Sequence, residues 1–117
     1  MLNKEIWIFK TSYFAKYKGE NGIAVSVTIP KNWSGGLIRE LNPPFYLLNQ
    51  YKKGLVTDSQ YIEIYNKKVL NNLDVKEIAN KVNGKVMLCW EKSGKFCHRH
   101  IVAAWLSKNL NVEVVEI

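Results

Sequence analysis

Long apolar runs are missing from this 117-residue chain. Nowhere do about 18 apolar residues follow one another, the length that a membrane-crossing helix needs. The first ten residues, MLNKEIWIFK, place Lys4 and Glu5 where a secretory signal would need an unbroken apolar core. A cytoplasmic location with no membrane partner is therefore expected. Cysteine is scarce, with two in the chain, so a disulfide-stapled scaffold is excluded. In a reducing compartment both thiols are expected to stay reduced, and their closeness in sequence suggests a site or buried packing before it suggests a bridge. Acidic residues are also short, 10 against 17 Lys and Arg, leaving a net charge of +7. That balance favours anionic partners, a small molecule or nucleic acid, although a solvated lysine-rich surface gives the same count. Internal repeats and disordered composition are absent.

What remains is the composition of one folded domain over residues 1–117, 47% hydrophobic and 12% aromatic. A chain of this size buries roughly two thirds of its unfolded surface without staples. Residues 5–9 and 23–29 are short runs rich in β-formers and are expected as strands, the second closed by Pro30. Between them, residues 11–22 are expected as a loop with a helical turn. Residues 31–44, KNWSGGLIRELNPP, carry two glycines and a double proline, which predicts a long irregular connection. Its Trp33 is either the tip of a flap over a ligand or a lid on the core edge.

Helices follow. Residues 45–53 end at Gly54, and Thr57 or Asp58 caps a helix whose Ile62, Tyr65, Val69 and Leu73 share one face. Asp74, with Glu77 three residues on, opens a third helix that stops at Gly84. Residues 85–90 form an unalternating apolar run, the mark of a strand covered on both faces. Residues 97–110 are expected as a helix and 112–117 as a last strand. The expected fold is a three-layer, Rossmann-like α/β sandwich with a small, mostly parallel sheet of about four strands.

Within that fold the stretch LCWEKSGKFCHRH, residues 88–100, holds both cysteines and both histidines of the chain. It leaves the carboxyl end of a strand, where open α/β sheets bind ligands, and enters a helix whose first N–H groups carry partial positive charge. Lys95 and Arg99 add full charges, so the loop is prepared for an anion. Arg99 in a first helical turn calls for an anionic neighbour, either a ligand or the carboxylate of Glu91. Cys97, at or just before the helix start beside Lys95, His98 and Arg99, is a candidate nucleophile, with Glu91 as acid or base. The plain alternative is a small buried hydrophobe.

Several motifs fail. A phosphate-binding Gly-rich loop would need Gly at Cys89 and a hydroxyl at Phe96. A phosphatase loop of Cys, five residues and Arg would put Lys95 where a bidentate guanidinium belongs. Zinc is not expected, because close ligand pairs are missing and His98 and His100 point about 200° apart on a helix. No cofactor is expected either.

The residues Leu88-Cys89-Trp90-Glu91-Lys92, then Phe96-Cys97-His98-Arg99 and the apolar helix after them, resemble the C-terminal signature of the YeaO-like family, domain of unknown function 488. Residues 61–70, YIEIYNKKVL, resemble that family's Tyr-containing helix, and Thr11-Ser12-Tyr13 an N-terminal segment of its short members. The resemblance implies that Cys89, Glu91, Cys97, His98 and Arg99 are motif positions, but it implies no reaction. Longer members carry Asp-any-Arg where Val27-Thr28-Ile29-Pro30 stands here; if that pair is catalytic in them, their activity is not expected in this chain.

Three functions are compatible with these residues. The chain binds a phosphate-bearing ligand through Arg99, His98, Lys95, Ser12 and Trp33; or it is an enzyme using Cys97 and Glu91; or it is an interaction module using the Trp33 loop.

Overall fold

The structure, a computed structural model, describes residues 6–117. Strands β1 (Phe9–Tyr13), β2 (Gly22–Ala24) and β3 (Gly36–Leu37) come first, then helices α1 (Phe45–Lys52), α2 (Asp58–Lys68) and α3 (Val75–Val82). Strand β4 (Val86–Cys89), helix α4 (His98–Leu110) and strand β5 (Val114–Glu116) complete the chain. All five strands are parallel, in the order β3-β2-β4-β1-β5. This is an α/β fold, with five strands rather than about four; the extra one, β3, lies inside the segment expected to be irregular.

Handedness accounts for the layers. From β3 to β4 and from β4 to β5 the chain steps two places in the same direction, each time through helix. Right-handed crossovers then put all the helices on one face. The steps from β1 to β2 and from β2 to β3 run the other way, so their connections belong to the opposite face. The two side-chain clusters follow this division. Leu47 of α1, Tyr61 and Tyr65 of α2, Ile78 of α3 and Val102 of α4 join Phe9, Ile23 and Met87 in the larger one. Ala24, Val86 and Leu88 meet Phe14, Tyr17, Trp33 and Ile117 in the smaller. The outer layer on that second face is therefore made of loop aromatics, where helix was expected.

Local signals place the helices. Thr57 accepts from the Gln60 N–H while its own N–H donates to the Gln60 side chain, at 3.1 and 2.8 Å, a reciprocal cap on α2. Asp74 caps α3 by accepting from the Lys76 N–H. Gly54 and Gly84 take the left-handed conformation after α1 and α3, with φ of 72° and 76°. Tyr65 is fully buried and donates to the Leu41 carbonyl at 2.6 Å.

Two strands depart from expectation. Glu5 lies outside the described residues, Ile6 and Ile8 are exposed, and the first strand begins only at Phe9. It runs on through Thr11 and Ser12, which are buried because the end of the chain satisfies them. Thr11 donates to Glu116 at 2.5 Å and Ser12 to the Ile117 carbonyl at 2.9 Å. The second strand stops at Ala24 instead of reaching residue 29. Val25 still donates to the Leu88 carbonyl, but the Ser26 hydroxyl then donates to the Thr28 carbonyl and bends the chain off the sheet. Among the described residues no helix is long and apolar enough to cross a membrane.

Candidate functional site

The first turn of α4 meets the carboxyl ends of β1, β4 and β5, and the side chain at that junction is Arg99. Arg99 is fully buried. Its Nε and Nη2 donate to the two oxygens of Glu116 at 3.1 and 2.7 Å, a bidentate pair. Nη1 donates to the Glu91 backbone carbonyl at 2.7 Å and points at the Cys89 sulfur at 2.9 Å. The guanidinium also lies 5.9 Å from the centre of the Tyr13 ring. Glu116 in turn accepts from Thr11 and Ser93, both at 2.5 Å. Burial alone would raise the pKa of Glu116, but the bonds from Arg99, Ser93 and Thr11 together bring it down to about 2.

The expected carboxylate partner of Arg99 was Glu91. The structure gives that role to Glu116, and Glu91 contributes only its carbonyl. Nothing local in the sequence pairs Arg99 with a residue in the last strand; the one available signal was an acid set in the apolar run VEVVEI. Ser93 and Thr11 were missed for the same reason.

Cys97 is the residue before α4, and Cys89 ends β4. Their sulfurs are joined as a disulfide across a sequence separation of 8. Reduced thiols were expected; the strand and helix ends meet, so both side chains reach one point. In this form Cys97 offers an electrophilic sulfur where a nucleophilic thiolate was expected. The exposed carboxylate of Glu91 lies within 4.8 Å of both sulfurs, a group of three side chains able to share a metal ion once the sulfurs are thiolates.

His98 is buried beside them. Its Nε2 lies 2.6 Å from the Val25 carbonyl, which only accepts, so Nε2 carries the proton and Nδ1 presents a lone pair. Nδ1 lies 3.9 Å from the Cys97 sulfur. Burial pushes the ring pKa down to about 4, with the Val25 bond opposing and the Arg99 charge assisting, so the imidazole is neutral. His100 turns the other way, and its buried Nε2 has no hydrogen-bond partner among the described residues.

A cleft of about 160 Å³ opens beside the sulfurs. Tyr51, Tyr61 and Phe96 form one wall, with ring centres 5.0–5.4 Å apart. Trp90, Thr28, Lys52, Glu91, Cys89, Cys97 and His98 also line it. Trp90 is held by bonds from its Nε1 to Thr28 at 3.0 and 3.1 Å. A second hollow of about 610 Å³, between α2 and α4, reaches Cys97 from the side of His100 and Trp105.

The other expected site residues sit elsewhere. Lys95 is exposed on the loop between β4 and α4. Ser12 pairs in register with Leu88, so it faces the second side of the sheet, away from Arg99. Trp33 is on that side too, 5.2 Å from Phe14 with its Nε1 donating to the Gly36 carbonyl at 3.1 Å. The indole folds so closely over Gly35 that a Cβ there would lie 2.3 Å from it. The structure thus brings together Cys89, Glu91, Cys97, His98 and Arg99 and separates Ser12 and Trp33 from them. No family model, curated protein or solved structure matches this chain.

Proposed function

We propose that the protein acts on a small anionic molecule in the cleft at the carboxyl end of β4, and that the Cys89–Cys97 pair, cycling between disulfide and dithiol, is its reactive group. The observation that carries this reading is the position of Arg99 Nη1, 2.9 Å from the Cys89 sulfur, with the rest of the guanidinium already held by Glu116. A buried cation on one sulfur stabilises negative charge there and makes Cys89 the better leaving thiolate. The incoming group then attacks Cys97. Its thiolate bonds to the Cys97 sulfur, the S–S bond breaks, and the electron pair leaves on Cys89. A second small thiolate attacks the mixed disulfide, releasing the small disulfide and the Cys97 thiolate. Glu91 is placed to take and return the thiol proton.

A phosphate held directly by Arg99 is disfavoured, because the guanidinium is fully buried and all three of its nitrogens already donate within the protein. Anionic preference instead comes from Lys52 on the cleft and from Lys92 and Lys95 on the adjacent exposed loop. Membership of the YeaO-like family belongs to the same proposal: the five motif positions of the resemblance are those that meet here.

The test is mass spectrometry of single-cysteine variants treated with a small carboxylated disulfide. Cys89→Ala should form a mixed disulfide on Cys97, faster than with an aminated disulfide of equal length, and salt should narrow the difference. A Cys97 thiol that stays unmodified in the folded variant would refute the reading.

A further inference from the structure

The geometry points to a redox-gated metal site: once the disulfide is reduced, Cys89, Cys97, Glu91 and His98 form a four-ligand site for a thiophilic divalent ion of the zinc class. This rests on the reading that the bond between Cys89 and Cys97 opens and closes.

Three of the four donors are already close. Both sulfurs and a Glu91 oxygen lie within 4.8 Å of one another. His98 Nδ1 stands 3.9 Å from the Cys97 sulfur, against about 3.6 Å between a thiolate and an imidazole nitrogen on one tetrahedral zinc ion. The ring is already arranged as a ligand. Its far nitrogen donates to the Val25 carbonyl at 2.6 Å, which fixes the tautomer and orientation and leaves Nδ1 free to bind. The backbone allows the sulfurs to part. The Cα atoms of Cys89 and Cys97 are 7.5 Å apart, beyond the ~4.4–6.8 Å usual for bridged cysteines. Moving the sulfurs to the ~3.8 Å that separates two thiolates on zinc therefore needs no displacement of β4 or α4. Arg99 completes the set from behind. Two thiolates and a carboxylate leave a divalent centre one negative charge in excess, and the guanidinium at 2.9 Å from Cys89 faces that charge.

Zinc was not expected from the sequence, because close ligand pairs were missing. The strand and helix ends supply the closeness instead, and the bend that follows β4 brings Glu91 beside Cys89. His100 takes no part, as its opposite direction on the helix requires.

The redox step balances with a two-electron reductant such as a dithiol or a phosphine. With a phosphine, the electron pair opens the S–S bond, water supplies the oxygen of the phosphine oxide, and its two hydrogens end on the sulfurs. The metal ion displaces those two protons. Re-oxidation of the pair must then expel the ion.

Cobalt(II) tests this on the full chain, since thiolate ligation gives it a charge-transfer band that water and carboxylate do not. The protein is reduced with a phosphine under native conditions, its thiols are counted, and cobalt is added. One ion per chain with a two-thiolate spectrum is expected, none in the disulfide form, and at least tenfold weaker binding in both Glu91→Gln and His98→Gln. Glu91 is exposed, so its variant keeps the fold. Two thiols per chain with no thiolate spectrum would overturn the metal site and leave thiol exchange standing. Thiols released only on unfolding would overturn both. Equal binding by the disulfide form or by Glu91→Gln would assign the ion to another place and overturn the site.

Discussion

Arg99 and Glu116 are bound at both oxygens, at 3.1 and 2.7 Å, so that the first turn of α4 is fastened to the last strand of the sheet. The same guanidinium touches the Cys89 sulfur and the Glu91 carbonyl, which ties the position of the cysteine pair to the integrity of that bridge. Truncating Glu116 to Ala leaves a fully buried cation without its carboxylate. A loss of about 3–5 kcal/mol is expected from such a break, read as a lower urea midpoint with little change in slope. An unchanged midpoint would show that Arg99 finds another anion.

Acid should act through the same carboxylate. The folded pKa of Glu116 is about 2, below the ordinary 4.5, so its contribution is fully present above about pH 4.5 and is lost as pH falls toward 2. Urea midpoints measured from pH 5 to pH 2 should fall across this window, and in Glu116→Gln the fall should be much shallower. Equal slopes in both proteins would place the acid sensitivity elsewhere.

Glu91 lies within 4.8 Å of both sulfurs yet is exposed. Glu91→Gln should therefore leave thermal stability within about 0.5 kcal/mol while slowing exchange with a small disulfide by tenfold or more. Stopped-flow exchange rates decide between that result and a bystander carboxylate.

Trp33 and Ser12 support the sheet from its second face. Trp33→Ala should cost about 2–3 kcal/mol, less than a fully buried indole, and Ser12→Ala about 1 kcal/mol. Neither should change the rate of thiol exchange in protein that remains folded. A selective loss of exchange in either would return these residues to the site.

The sequence was legible where chemistry is local. Thr57, Asp74, Gly54 and Gly84 act within a turn of the chain; the first two open the helices and the glycines close them, as their residue types call for. The run from Val86 to Cys89 and the helix from His98 are apolar enough to be recognised without partners, and they frame the loop that holds the cluster. Legibility failed where a residue's role depends on a distant strand. Thr11 and Ser12 look like loop residues until Glu116 and the Ile117 carbonyl accept their hydroxyls, at a sequence distance of 105. Moving the start of β1 to Phe9 fixes which face each residue takes, and that step sends Ser12 away from Arg99. Arg99 presented an unsatisfied charge, but its partner could be found only in three dimensions.

The most direct measurement is a redox titration of the folded chain in buffers of a small dithiol and its disulfide, with the mass read at each point and far-ultraviolet circular dichroism recorded in parallel. A reversible Cys89–Cys97 pair predicts one two-electron transition, a gain of two hydrogens per chain, with the helix signal unchanged throughout. Thiols that appear only as the helix signal is lost, or two thiols that stay reduced and inert across the whole range, would contradict it.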